Sequence, residues 1–242
     1  MSNEAAYLAL RLEGPLQSWG FESQYNRRNT GLLPTKSAIL GMCCAALGIP
    51  RGSEEEKTLL EQFIGLRLLT VAIPRHDPKY RDESKELQVR RITDYHTVQN
   101  TKTASGSTKD THLTYRQYLC DASFACVLSG NAQLINQLVK DEKGYGLENP
   151  VWGIWLGRKA CIPTAPVFAG IFPTEVEALC GLLRDRSLDM FTYQREVERF
   201  EDGSDSLPDQ PLCFAAPDGI RKFAPRRVKL KKVNANLTKS YG

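Results

Sequence analysis

Over residues 6–13 apolar and polar positions alternate, with Leu8, Leu10 and Leu12 on one side, which predicts a strand buried on one face. Gly14-Pro15 is the expected end of that strand. After Thr35, residues Ile39, Met42, Cys43, Ala46 and Leu47 fall at helical spacing, and Gly48 supplies a C-terminal stop. Ser53 with Glu56 three positions on forms a capping box that opens a shorter helix through Leu59, Leu60 and Phe63. Residues 66–73 are apolar and rich in β-formers up to Pro74, a second strand. Alternation resumes over 123–129 at Phe124, Cys126 and Leu128, followed by a helix over 132–140 with Leu134, Ile135, Leu138 and Val139 on one face. A fourth strand is predicted over 167–172. Thr174 with Glu177 then caps a helix through Val176, Leu179, Leu182 and Leu183.

Between the second and third strands the pattern breaks. Residues 75–113 are polar and carry little periodicity, too long a stretch for an ordinary loop, so the segment is either disordered or functional. The order β-α-(α)-β, excursion, β-α-β is the split βαβ of ferredoxin-like and RNA-recognition folds, an α+β class, with the excursion at a hairpin tip. The expected organisation is a domain over 1–172, with the excursion at about 75–113, and a small β-rich C-terminal region over 173–242 ending in a basic tail.

Composition narrows the picture without changing it. The 242 residues are 41% hydrophobic and 25% charged, which excludes a disordered tail or a fibre. The longest uncharged apolar run, 38–49, falls short of the roughly 20 residues of a membrane span. The first ten residues hold Glu4 and no basic cluster, so no signal peptide is expected, and an odd set of seven cysteines without C-x-x-C spacing fits free thiols of a cytoplasmic protein. The net charge of +4 hides a segregation. Residues 24–41 hold Arg27, Arg28 and Lys36 with no acid, 171–210 sum to −6, and 219–242 hold eight bases and no acid. Such separation predicts a polyanionic partner.

The side-chain inventory favours binding over catalysis. Only His76, His96 and His112 are available, none in a metal-ligand spacing, and no hydrolase elbow, P-loop or dinucleotide motif occurs, so neither metal nor cofactor is expected. A metal-independent ribonuclease using His with Lys or Tyr stays open as the alternative. Gln17, Ser18 and Trp19 follow the first strand, and Arg27, Arg28, Lys36 and Ser37 lead into the first helix. Guanidinium groups, hydroxyls and helix N-terminal amides are phosphate-binding chemistry. Trp19 reads equally as a core aromatic or a stacking surface. Arg90 and Arg91 with Tyr95 and His96, and Arg158 with Lys159, repeat the basic-plus-aromatic combination of single-stranded RNA binders.

The runs G-P-L-Q-S-W-G at 14–20, P-T-K-S-A-I-L-G at 34–41, D-Y-H-T-V at 94–98, T-Y-R-Q-Y-L-C-D-A-S-F at 114–124 and L-G-R-K-A-C at 156–161 resemble, in order, the CRISPR-associated Cas-five family in its type I-E branch. The resemblance implies a ferredoxin-like domain with a long β-hairpin thumb and a small C-terminal part. It implies a Cascade subunit that holds the 5′ handle of the CRISPR RNA, contacts the backbone and large subunits, and meets target DNA only through the complex. The handle contacts it implies are Gln17, Ser18, Trp19, Lys36, Ser37, the 90–96 stretch, Arg158 and Lys159. A type I-C branch of the family cleaves precursor RNA with a Tyr and an adjacent Lys and His. No Lys-His dipeptide occurs here, so the resemblance implies a binder without nuclease activity.

Overall fold

The alternating leucines form the buried side of a long strand, β1 (Ala5–Gln17), in a computed structural model that describes residues 4–23, 26–76, 86–87, 89–103, 105–215 and 221–232. Gly14-Pro15 does not end β1. Pairing skips Pro15, which has no N–H to give, and resumes at Leu16 against Cys120. Short strands β2 (Trp19–Gly20), β3 (Arg27–Arg28) and β4 (Thr30–Gly31) lead to helices α1 (Lys36–Ala46) and α2 (Glu54–Gln62). Next come β5 (Arg67–Ala72), the two-residue β6 (Arg75–His76) and β7 (Glu86–Leu87), β8 (Arg90–Lys102) and β9 (Thr108–Asn131). The chain continues through α3 (Ala132–Val139), β10 (Phe168–Phe172), α4 (Glu175–Leu183), β11 (Tyr193–Glu196), β12 (Asp205–Cys213) and β13 (Lys222–Lys231). Thr35, Ser53 and Thr174 each cap the helix assigned to them, their side chains accepting an amide N–H from the first turn.

The main sheet runs β10-β1-β9-β5-β11-β13-β12, and every neighbouring pair along it is antiparallel. Counting only the four strands read from the sequence, the spatial order is fourth, first, third, second. The C-terminal strands extend this sheet, since Tyr193–Arg195 of β11 pair with Leu69–Val71 of β5. Strands β11, β13 and β12 are therefore continuous with the preceding sheet.

Period-two alternation gives the sheet two apolar faces. On one face Leu8, Leu10, Leu12, Phe124, Cys126 and Leu128 are buried with residues of α1, α2 and α3. On the other, Ala9, Leu69, Val71, Ala125 and Val127 are covered by Ala178, Leu179, Leu182 and Leu183 of α4 and by Phe191.

From Arg90 onward the polar excursion belongs to a hairpin. β8 pairs with the first half of β9 from Arg90 opposite Cys120 to Lys102 opposite Thr108, and Thr103 with Ser107 closes the tip. The ladder reaches Cys120, beyond the expected limit of 113. The strand read over 123–129 is thus only the core end of a 24-residue strand. Residues 77–85 and the chain after Lys232, which holds the end of the basic tail, lie outside the described residues.

Candidate nucleic-acid interface

The base of the hairpin assembles most of the residues singled out above, in two different roles. On β9, β1 pairs up to Leu119 and β3 pairs in parallel with Tyr115 and Arg116. The carbonyl of Gln117 falls in the gap between them and would be an orphan acceptor. Ser18 Oγ donates to it at 3.1 Å, and Arg158 Nη1 donates to it at 3.1 Å. Arg158 Nη2 also donates to the carbonyl of Arg28 at 2.8 Å, while its guanidinium lies 4.6 Å from the Tyr118 ring centroid. Arg158 thus ties the 156–161 loop to β3 and β9. Gly157 permits this: its φ is +99°, and a Cβ there would sit 1.8 Å from the carbonyl oxygen of Ser18.

Four of the expected contacts are internal, and the structure corrects their role. Gln17 is buried at the end of β1, its Nε2 donating to the carbonyls of Leu12 (3.2 Å) and Ala122 (2.6 Å). Ser18 is buried beside it and spends its hydroxyl on Gln117. Trp19 resolves as the core aromatic: it is buried and packs edge-on to Phe124, centroids 6.3 Å apart. Its backbone N–H donates to Thr30 Oγ1 at 2.8 Å, which fixes the loop.

Lys36 is the largest departure. Its ammonium is buried, donates to Glu196 Oε1 at 2.8 Å and to the Leu66 carbonyl, and sits in a network in which Arg226 pairs with Asp209. Burial pushes the Lys36 pKa below that of an ordinary lysine, and Glu196 restrains the fall. The first amide of α1, assigned above to a phosphate, donates instead to Asp209 Oδ2 at 2.8 Å. A carboxylate of the chain itself fills the helix N-terminus, as the dipole favours. Ser37 is half-buried with its hydroxyl 3.3 Å from that of Thr35.

The remaining candidates are outward. Arg27 and Arg28 are exposed on β3, with the Arg27 guanidinium 5.7 Å from the Tyr115 ring centroid. Tyr95 and Tyr115 are directly opposite on β8 and β9 and make an edge-to-face pair with centroids 5.5 Å apart. They are 59% and 37% exposed, so the aromatic surface is open to a ligand. The pleat divides the 90–96 stretch. Arg91 and Tyr95 share a face with Tyr115 and Gln117, whereas Arg90 and His96 point to the opposite face with Arg116. His96 Nδ1 lies 3.6 Å from Asp94 Oδ2 on that opposite face. Lys159 is exposed.

The platform is therefore Tyr95 and Tyr115 rimmed by Arg27 and Arg91. Tyr115, Gln117 and Tyr118 were missed as site residues, although the run T-Y-R-Q-Y places aromatics of β9 on alternate faces. Among the described residues, no group of three His, Cys, Asp or Glu side chains could hold a metal ion, and no helix is long and apolar enough to cross a membrane. The surface offers guanidinium groups and a π-face, the chemistry that takes phosphate and an unstacked base.

Known proteins share this architecture. The family model described as CRISPR-associated protein (Cas_Cas5) matches residues 7–229. The CRISPR system Cascade subunit CasD of Escherichia coli (strain K12) is 34% identical over 167 residues, which are 68% of this chain and 70% of that protein. A chain of a CRISPR RNA-guided surveillance complex superposes with a TM-score of 0.66 at 24% identity, covering 93% of this chain and 89% of its own, a likeness of fold. A solved Cas protein superposes with a TM-score of 0.57 at 25% identity, covering 93% of both chains. The resemblance read from the five sequence motifs is borne out. The chain belongs to the CRISPR-associated Cas5 family.

Proposed function

We propose that this chain is the non-catalytic CRISPR RNA-binding subunit of a type I-E-like Cascade, holding the 5′ handle of the guide and contacting the backbone and large subunits. The observation that carries the reading is the 34% identity to a Cascade subunit. The spatial order of the four strands supports the ferredoxin-like assignment, and the exposed Tyr95–Tyr115 pair with Arg27 and Arg91 supplies a surface suited to single-stranded RNA. Target sequence would then be read by base pairing of the guide, with the protein supplying position.

His96 faces away from the tyrosine pair, so the platform brings no imidazole to a bound nucleotide. The test is incubation of the purified chain with a labelled repeat RNA in EDTA, with binding and product followed together. A retained, uncleaved complex is the expected result. A discrete product would favour the metal-independent endoribonuclease, and loss of that product in His96→Ala or His112→Ala would place the catalytic group. Failure to bind RNA at low salt would leave a protein-only adaptor.

A further inference from the structure

The β8–β9 hairpin has a second open side. The pleat that turns Arg91, Tyr95 and Tyr115 one way turns Arg90, Asp94, His96, His112 and Arg116 the other. The rows of that second side run from Arg90 opposite Cys120 to Val98 opposite His112, about 27 Å at 3.4 Å per residue. Strand β3 widens one of them. Its parallel register sets Arg28 beside Arg116, so Asp94, Arg116 and Arg28 lie in line across β8, β9 and β3. At the base, the Arg158 guanidinium lies 4.6 Å from the ring centroid of Tyr118, which belongs to the same side. In these rows Asp94 is the one acid, and it sits 3.6 Å from His96 Nδ1.

This charge is arranged at a cost. Cross-strand neighbours of like sign repel each other, and Arg28 beside Arg116 is such a pair. A surface shaped for solubility alone intersperses the two signs. Arg116 is also fixed in place: its Nε donates to Thr114 Oγ1 at 3.1 Å, and that hydroxyl donates to the His96 carbonyl at 3.2 Å. Arg28 and Arg90 are exposed. The one large aromatic ring in these rows, Tyr118, is buried, so this side offers charge without the stacking surface of the platform. Guanidinium groups without an open ring take phosphate and leave the bases unread. We propose that the second side of the hairpin, through Arg28, Arg90 and Arg116, binds the phosphate backbone of a second nucleic-acid strand, DNA or RNA, separate from the strand on the Tyr95–Tyr115 platform. The arm then holds one strand on each side. The proposal goes beyond the handle-binding reading, and the two fail on different measurements.

The test loads the full chain with equimolar unlabelled repeat RNA and titrates it with fluorescein-labelled oligothymidylate or oligouridylate, neither complementary to the repeat. A ternary complex is expected with either probe. In Arg90→Ala/Arg116→Ala the slope of log K against log salt for the probe should be shallower by about 1.4, at roughly 0.7 per phosphate on a single strand. Arg90→Lys/Arg116→Lys retains the charge and should keep the parent slope. Tyr95→Ala should weaken the repeat RNA and leave the probe's affinity unchanged. Arg184→Ala, an exposed arginine at the end of α4, controls for diffuse charge. A probe that only displaces the repeat RNA overturns the proposal and leaves handle binding standing. So does an unchanged slope in the double alanine variant, or an equal loss in Arg184→Ala. Binding of oligouridylate without oligothymidylate would mean recognition of the 2′-hydroxyl and would overturn the phosphate contact. A chain that binds no repeat RNA, yet binds oligothymidylate through Arg90 and Arg116, keeps the second side and loses the handle-binding reading.

Discussion

Lys36 lies in a run of basic and hydroxyl residues, and nothing local distinguishes a lysine that meets a phosphate from one that meets a carboxylate 160 positions later. The partner decides, and only the fold supplies it. Removing one member of a buried ion pair strands the other, so Lys36→Met should lower stability to urea unfolding by about 3 kcal/mol, near the bottom of the usual range because Arg226 stays 3.7 Å from Glu196. A change below about 0.5 kcal/mol is the signature of an exposed lysine and would contradict this placement. The cysteines were legible as free thiols, and their burial has a pH consequence. Burial pushes the Cys44 and Cys126 thiols up to about 12, from an unfolded value of 9.0. A raised folded pKa gives stability that is fully present below the unfolded pKa and lost as pH rises toward the folded one. Stability in reducing buffer should therefore fall between about pH 9.5 and 11, and Cys126→Ala should make that decline shallower by about 1.4 kcal/mol per pH unit. Parallel declines in the two proteins would show that Cys126 ionises normally.

At the scale of elements, legibility follows burial. Strands and helices with one buried face announced themselves by periodicity, and Thr35, Ser53 and Thr174 marked three helix starts, whereas Asn131, which caps α3, was not read. The β8–β9 hairpin did not, because β8 is exposed along nearly all its length and has no apolar face to alternate. Its order comes from the backbone ladder and cross-strand pairs such as Tyr95 with Tyr115, a tertiary fact that a window along the sequence does not contain. The end of β1 was misplaced for a related reason: Gly14-Pro15 is a turn signal only where the ladder needs every N–H. A two-stranded arm with so little burial is weakly held. In hydrogen exchange on the free chain, the amides of 92–99 and 109–114 should exchange at least tenfold faster than those of 124–128 on the same β9 strand. Equal protection along β9 would mean that the arm is stabilised as strongly as the core sheet.

For the molecule as a whole, helices close both faces of the central sheet. α4 and Phe191 cover the second face of the sheet at Ala9, Leu69, Val71, Ala125 and Val127, so the sheet is an interior, and the open aromatic pair Tyr95–Tyr115 lies on the hairpin. The sequence showed α4 as an amphipathic helix but not which face it would close, because the residues it covers come from three separate strands, β1, β5 and β9. Stability and binding should therefore separate cleanly. Leu182→Ala opens the α4 contact and should lower unfolding stability by about 2–5 kcal/mol, while its affinity for repeat RNA, measured where the variant is still folded, stays within about twofold of the parent. Tyr95→Ala should do the reverse, leaving unfolding nearly unchanged and weakening RNA binding by about 1–3 kcal/mol, the worth of one stacked base. Arg91→Ala should weaken binding with a shallower salt slope, and Arg90→Ala should do so less, since the pleat turns it to the other face. RNA binding that follows Leu182 and ignores Tyr95 would put the nucleic acid on the sheet, with α4 displaced to admit it.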